Sequence, residues 1–227
     1  FAWTAVVVLL SFLLERLFLF FFRKLRDWQP FLAGKEQEYP AEDVKVCGLF
    51  RGYDGKQVLR DVNAHYRKGK IYCLMAPSGA GKTTLLLTMA GIYPPEKGSV
   101  SGCRHPSVLF QEDRLLPQAS VLQNAAVAAG EEKARNILAD LGLSDVFNQK
   151  TEELSGGMKR RVCLARALAY GGDCLLLDEP FTGLDGENRK KAADCIRKYV
   201  NGRMVLISTH DGEDASLLDG ETVKLEK

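Results

Sequence analysis

One short segment combines small side chains with a lysine and several hydroxyl groups: Ala76-Pro-Ser-Gly-Ala-Gly-Lys-Thr-Thr84. Small residues allow consecutive backbone N–H groups to turn inward around phosphate oxygens. Lys82 is suited to reach the β- and γ-phosphates of a nucleotide, and the Thr83 hydroxyl is suited to bind Mg²⁺. We therefore expect a phosphate-binding loop. Its contacts would come from Ser78, Gly79, Ala80, Gly81, Lys82, Thr83 and Thr84.

The sequence on either side supplies the elements that must position this loop. The apolar residues 71–75 precede it and residues 85–91 follow it. We interpret this order as strand, glycine loop and helix, the context in which a phosphate loop works. Ala76 stands where the usual pattern has a glycine, and we expect it to be tolerated if its φ is negative. The alternative is a glycine-rich turn without a ligand.

A second segment, Cys174-Leu-Leu-Leu-Asp-Glu-Pro180, reads as a buried strand that ends in two carboxylates. Such a strand places them at the carboxyl edge of the sheet, where α/β proteins bind ligands. Asp178 is suited to hold Mg²⁺, and Glu179 to orient or deprotonate an attacking water. The alternative is a carboxylate pair that caps the next turn.

Three further polar residues are candidates for the same site. His210 follows the apolar residues 204–207 and is suited to donate to a γ-phosphate, and Gln111 follows a short strand and is suited to contact Mg²⁺ and the attacking water. Tyr53 is suited to stack on a purine base. Alternatively, His210 is a surface histidine in a loop, and Tyr53 is an ordinary tyrosine of the core or its rim.

The segment Leu154-Ser-Gly-Gly-Met158 predicts the start of a helix. Ser155 is a good N-cap, and Gly156 and Gly157 leave backbone N–H groups open to an anion. The segment therefore predicts a second phosphate-type site, or else a plain capped helix.

Composition narrows the function class. The net charge is +2 and no long basic run occurs, so nothing indicates nucleic-acid binding. None of the six cysteines forms a Cys-x-x-Cys pair. We interpret Cys73, Cys163 and Cys174 as small buried hydrophobes rather than disulfides or metal ligands.

The chain divides by composition into three parts. Residues 1–28 are apolar up to a basic cluster and Trp28, which predicts a membrane-associated segment; a soluble helix or a partner-binding tail is the alternative. Residues 29–43 read as a linker. From residue 44 onward strands alternate with helices, which predicts an α/β domain with a largely parallel sheet covered on both faces. A mostly helical insertion is expected over residues 112–154.

The ordered set of residues 76–84, Gln111, 154–158, 174–179, Asp185 and His210 resembles the nucleotide-binding domain of ATP-binding-cassette transporters. The resemblance covers residues 44–227. It implies a P-loop NTPase (RecA-like) core, an antiparallel β subdomain and an inserted helical subdomain at about residues 113–160. It further implies an ATPase that works as a head-to-tail dimer with a second copy. ATP and Mg²⁺ would lie between the Lys82 loop of one copy and Ser155, Gly156, Gly157 and Asp185 of the other, with adenine on Tyr53.

Met158, in place of the family's common glutamine, and the residues that follow it look like the nitrate, sulfonate and taurine importer branch. Residues 6–28 look like the tail of that branch's permease, which indicates a permease–ATPase fusion. The implied partners are a transmembrane permease and an extracytoplasmic solute-binding protein, and the implied location is the cytoplasmic face of the cell membrane. The alternatives are a soluble cassette ATPase acting on ribosomes or DNA, and a small-molecule kinase.

Overall fold

The computed structural model describes residues 39–53, 55–127 and 129–225. The segment 1–28, and the linker up to residue 38, lie outside these residues. Within the described part, no helix combines the length and apolar character that crossing a membrane requires.

An antiparallel sheet forms the first layer. Strands β1 (Val44–Tyr53) and β2 (Lys56–Tyr66) make a hairpin, and β4 (Lys97–Ser101) pairs with the other edge of β1. Val44 and Val46 alternate with exposed residues along β1 because successive side chains of a strand point to opposite faces. One face of this sheet is therefore apolar and packs on the core.

A parallel sheet of five strands forms the central layer, in the order β5-β6-β7-β3-β8. The strands are β3 (Ile71–Met75), β5 (Ser107–Leu109), β6 (Cys174–Asp178), β7 (Met204–Thr209) and β8 (Glu221–Lys224). Every residue of β6 and β7 is buried, as expected for strands covered on both faces. The predicted parallel sheet is thus confirmed.

Six α-helices and two short 3₁₀ turns complete the described part of the chain. They are α1 (Lys82–Met89), α2 (Val121–Ala126), α3 (Glu131–Asp140), α4 (Gly156–Tyr170), α5 (Gly186–Tyr199) and α6 (Glu213–Leu218), with 3₁₀ turns at Ser144–Val146 and Thr151–Glu153. The helix predicted from Ala134, Ile137 and Leu138 is α3, and these three residues are buried.

Alternation along the central strands divides the core into two halves. Leu175 and Leu177 of β6 join the half that contains apolar residues of α4 and α5. Leu176 joins the other half, with apolar residues of α1 and the antiparallel sheet. The parallel sheet is therefore the middle of three layers, and its edges remain open to carry a site.

The described end of the predicted linker is packed against the domain. The Tyr39 ring stacks on the His105 ring, with centroids 4.2 Å apart. Asp43 accepts hydrogen bonds from the Lys68 N–H at 2.9 Å and from His65 Nε2 at 2.9 Å. Residues 39–43 therefore belong with the folded domain rather than with a free linker.

Candidate active site

Strands β6, β7 and β3 are neighbours, and all three run in the same direction. The loops that follow them therefore emerge at one edge of the sheet. These loops carry Asp178 and Glu179 after β6, His210 after β7, and the Lys82 loop after β3. The sheet order thus collects the predicted chemical groups at a single edge.

The Lys82 loop has the backbone shape that its glycines allow. Gly79 and Gly81 have φ values of +75° and +102°. A Cβ at Gly81 would also lie 2.8 Å from Val58 Cγ1, so both conformation and space require glycine there. Ala76 is not among the described residues with positive φ, which confirms the condition for alanine at this position.

Lys82 is folded back over its own loop. Its side chain is buried, and Nζ donates to the Ala76 carbonyl at 2.6 Å and to the Pro77 carbonyl at 3.3 Å. Among the described residues, no side chain caps the start of α1, so the first N–H groups of this helix are available to an anion. Ammonium and helix start together make a concentrated positive site.

Asp178 is 4% exposed, and its two carboxylate oxygens have different surroundings. Oδ1 accepts a hydrogen bond from the Ser208 hydroxyl, whereas Oδ2 is buried and has no hydrogen-bond partner among the described residues. A buried carboxylate oxygen without a partner is costly unless a cation binds it. Asp178 and its surroundings therefore fit a divalent ion such as Mg²⁺.

Glu179 has a left-handed backbone conformation, with φ at +49°, that costs a non-glycine residue about 1–3 kcal/mol. Hydrogen bonds hold it there: its N–H donates to Ser208 Oγ at 3.0 Å, and its carbonyl accepts from Arg160 at 3.0 Å. The side chain accepts from Thr182 Oγ1 at 3.3 Å and lies 3.8 Å from His210 Nδ1. Glu179 and His210 line a cleft of about 240 Å³.

The turn that carries His210 is tied to α5 by ion pairs. Arg189 binds the carboxylates of Asp211 and Asp214, and the Thr209 hydroxyl donates to Asp214. A hydrogen bond from the Glu213 N–H, followed by the bond from Arg189, lowers the pKa of Asp211 below its usual value. The His210 ring itself is 73% exposed and therefore free to meet a ligand.

The predicted N-cap at Ser155 is confirmed, because its hydroxyl accepts from the Met158 N–H at 3.3 Å. A Cβ at Gly156 would meet nothing within 4 Å, but one at Gly157 would lie 2.8 Å from the Gly183 carbonyl oxygen. Gly157 is thus needed for packing. The start of α4 therefore rests on the loop of residues 182–185.

The aromatic candidate Tyr53 is 37% exposed. The Arg51 guanidinium lies 4.8 Å from its ring centroid, and the Tyr93 ring meets it edge-on at 5.8 Å. These three side chains form a surface of the kind on which a planar base can stack.

The comparisons with known proteins agree with this geometry. The family described as ABC transporter matches residues 59–182. The chain belongs to the ABC transporter family. Its predicted identity as an ATP-binding, ATP-hydrolysing protein of this family and its P-loop NTPase fold are therefore confirmed.

Several relatives of this ABC protein are named import ATP-binding proteins. The aliphatic sulfonates import ATP-binding protein SsuB 3 of Paraburkholderia xenovorans (strain LB400) is 40% identical over 181 residues, which cover 77% of this chain and 73% of that protein. The taurine import ATP-binding protein TauB of Escherichia coli O157:H7 is 37% identical over 201 residues, covering 80% and 79%.

Solved ABC cassettes have the same fold. The dimeric bacterial ABC transporter cassette MJ0796 is 26% identical, with a TM-score of 0.73 over 80% of this chain and 94% of that chain. A post-hydrolysis dimer of MJ0796 bound to ADP and Pi matches with the same TM-score of 0.73 and 26% identity, over 81% and 94%.

This ABC ATPase has a buried arginine beside the site that the sequence did not indicate. The Arg160 side chain is buried and donates to carbonyls on both sides of the site: Phe110 at 2.6 Å, Gln111 at 3.3 Å, Glu179 at 3.0 Å, and Asp178. It also reaches Asp113 Oδ1 at 3.3 Å. The sequence feature that could have indicated Arg160 is its position in the helix that begins after Ser155. Arg160 thus connects the segment around Gln111 to Asp178 and Glu179. Gln111 itself is exposed.

Not all predicted residues of this ABC ATPase meet within one chain. In the described part, no hydrogen bond or ion pair joins Ser155, Gly156 or Gly157 to the Lys82 loop. Asp185 is exposed and caps α5 by accepting from the Asn188 N–H at 2.8 Å, a bond that lowers its pKa. Among the described residues, no hydrogen bond or ion pair therefore links Asp185 or the start of α4 to the Lys82 loop.

Proposed function

We propose that this ABC ATPase powers import of aliphatic sulfonates or taurine, working at the cytoplasmic face of a membrane with a transmembrane permease and an extracytoplasmic solute-binding protein. The proposal is supported by the names of its relatives, which at 37–40% identity are import ATP-binding proteins for those solutes. The single observation that carries the catalytic part is that the buried Asp178 and the half-buried Glu179 are held by hydrogen bonds at the sheet edge that also bears Lys82.

The Lys82 loop binds the phosphates in this proposal. Lys82 exchanges its two loop carbonyls for β- and γ-phosphate oxygens, which are stronger partners because they carry charge. The backbone N–H groups of residues 78–84 surround the same oxygens, and Tyr53 stacks on adenine. Catalysis then consists mainly of positioning and stabilisation of charge.

Thr83, Gln111 and Asp178 would hold Mg²⁺ beside the phosphates. The support is the buried oxygen Oδ2 of Asp178, which lacks a hydrogen-bond partner. When bound, the ion neutralises charge on the nucleotide phosphates. Ser208 keeps Asp178 oriented by donating to its other oxygen.

Glu179 orients the attacking water and takes up its proton, and His210 donates to the γ-phosphate. Glu179 suits this role because its backbone is held while its side chain faces the cleft shared with His210. His210 suits its role because its ring is exposed beside that carboxylate.

A second copy completes the site. Ser155, Gly156 and Asp185 are exposed, and among the described residues no acceptor binds the backbone N–H groups of Gly156 and Gly157 at the start of α4. We propose that these residues close over the nucleotide bound to the Lys82 loop of the other copy. The dimeric MJ0796 cassette, which shares this fold, supports that arrangement.

Substitution of Glu179 by Gln tests the catalytic assignment. The variant keeps the size of the side chain but loses the base, so it should bind ATP normally and lose at least ~100-fold in turnover. The matched control is Glu187→Gln, an exposed glutamate paired with Lys191 in α5, which should retain turnover. Turnover by E179Q within about tenfold of wild type would remove Glu179 from this role.

The solute class is tested in proteoliposomes that contain the permease, this ATPase and the solute-binding protein. Taurine or an alkyl sulfonate should stimulate ATP hydrolysis and accumulate inside, whereas nitrate should not. Stimulation by nitrate alone would refute the sulfonate assignment and leave the ATPase assignment intact.

A further inference from the structure

Two cysteines and an aspartate meet at the amino end of β6, the opposite end of that strand from Asp178. Cys103 lies between β4 and β5, and Cys174 begins β6 directly after Asp173. The two sulfur atoms are 2.8 Å apart. One ligand atom from each of the three residues lies within 4.8 Å of the others.

Asp173 of this cluster is 4% exposed, and only one of its two carboxylate oxygens accepts hydrogen bonds. Its Oδ2 accepts from the Arg104 N–H at 2.6 Å and the His105 N–H at 2.8 Å. Its Oδ1 is buried and has no hydrogen-bond partner in the part of the chain that the structure describes. A buried carboxylate oxygen in this state is costly, and a cation beside it would remove the cost.

We propose that Cys103, Asp173 and Cys174 form a binding site for Zn²⁺. Thiolate sulfur and carboxylate oxygen are both ordinary zinc ligands, and two thiolates in the set exclude hard ions such as Mg²⁺ and Ca²⁺. Three protein ligands leave one tetrahedral position for water. Cys103 is half-buried, whereas Cys174 is buried.

Binding requires a small movement and the release of two protons. Two thiolates on one tetrahedral zinc, each at about 2.3 Å, lie about 3.8 Å apart, so the sulfurs must separate by roughly 1 Å. Cys103 belongs to no strand or helix, and its side chain supplies that movement. Zinc binds the thiolate form of cysteine, so binding replaces the protons of both thiols.

A disulfide between the same cysteines is the competing outcome. It would form one S–S bond and release two protons and two electrons to an oxidant such as a peroxide. It would leave Asp173 Oδ1 buried and still without a partner, however, whereas a cation satisfies all three ligands. The state of that carboxylate favours the metal.

The bound ion would cross-link the segment that follows the antiparallel sheet to a strand of the parallel sheet. Cys103 follows the antiparallel strand β4, and Cys174 starts a central parallel strand, 71 positions later in the chain. Because the ion binds the folded arrangement, it should raise the thermal midpoint in proportion to the logarithm of its concentration over Kd.

The test is calorimetric titration of the reduced, purified chain with Zn²⁺, together with Co²⁺ as a spectroscopic probe. We expect one Zn²⁺ per chain, a thiolate-to-Co²⁺ charge-transfer band, and a higher thermal midpoint with Zn²⁺. Cys103→Ser and Asp173→Asn should each lose the stoichiometric binding, and Asn at 173 keeps an acceptor for the Arg104 and His105 N–H groups. The control Cys47→Ser removes an exposed cysteine and should bind as wild type does.

Three results would overturn the proposal. The first is the absence of stoichiometric binding by the reduced wild-type chain. The second is binding that C103S and D173N both retain. The third is that the protein isolated without reductant contains a Cys103–Cys174 disulfide and still does not bind Zn²⁺ after this disulfide is reduced.

Discussion

The Ser208 hydroxyl donates to Asp178 Oδ1 and leaves Asp178 Oδ2 buried without a partner. The same hydroxyl accepts the Glu179 N–H at 3.0 Å. One side chain at the end of β7 therefore orients the Asp178 carboxylate and holds the backbone of Glu179. It also determines which oxygen of Asp178 is available to a cation.

We expect Ser208→Ala to lower the free energy of unfolding by about 1–3 kcal/mol, because it removes a hydrogen bond from a buried carboxylate. The Mg²⁺ concentration needed for half-maximal ATPase activity should also rise. Urea denaturation and a Mg²⁺ titration of activity measure the two effects. Ser216→Ala, at an exposed position of α6, is the control and should stay within about 0.5 kcal/mol of wild type.

Gly157→Ala should lower the free energy of unfolding by about 1–3 kcal/mol, because its Cβ would lie 2.8 Å from the Gly183 carbonyl oxygen. Gly156→Ala is the matched control, since nothing lies within 4 Å of its Cβ. Both are measured by chemical denaturation without nucleotide. Equal losses in the two variants would contradict the packing explanation.

Arg160→Ala should lower the free energy of unfolding by about 3 kcal/mol or more, because several buried carbonyls lose their donor together. Arg160→Lys should recover only part, since one ammonium cannot reproduce the planar fork of a guanidinium. Arg166→Ala on the same helix is the control. Arg166 donates to one carbonyl, that of Arg114, at 2.7 Å, so its loss should stay below about 1.5 kcal/mol.

The stability contributed by Asp211 should depend on pH. Its pKa in the folded protein is lowered from 3.8 by the Glu213 N–H and by Arg189. Because the pKa of Asp211 is lowered in the folded protein, its contribution to stability is complete above its pKa in the unfolded chain, near 3.9. The contribution is lost as the pH falls through the pKa of the folded protein. The difference in unfolding free energy between wild type and Asp211→Asn should therefore be constant from pH 7 to 5 and shrink below pH 4. A difference that grows toward acid would contradict this assignment.

Local chemistry was readable in the sequence. The left-handed glycines of the Lys82 loop and the N-cap at Ser155 depend on residues only a few positions apart, so their types predict their geometry. The parallel sheet was also predictable, because buried apolar strands alternated with helices. The roles assigned to the site residues toward ATP and Mg²⁺, those of Lys82, Asp178, Glu179 and His210 included, stay predictions.

The sequence did not predict the contacts between residues that are far apart in the chain. Arg160 donates to carbonyls up to 50 positions away, and Cys103 meets Cys174 across 71 positions. The sequence indicated Cys174 as a plain buried hydrophobe, but tertiary contacts placed a second sulfur and an unsatisfied carboxylate beside it. No local pattern encodes such a meeting, because it depends on how two distant segments pack.

By itself, the sequence determined which groups are able to bind phosphate, cation and water, because residue type sets charge, hydrogen-bonding capacity and backbone freedom. The tertiary structure decided which of them work together. The order β6-β7-β3 brought Asp178, His210 and the Lys82 loop to one edge, whereas Ser155 and Asp185 cap the starts of α4 and α5. The physical reason is that strand order and side-chain packing arise from the burial of the whole apolar core, which no single segment controls.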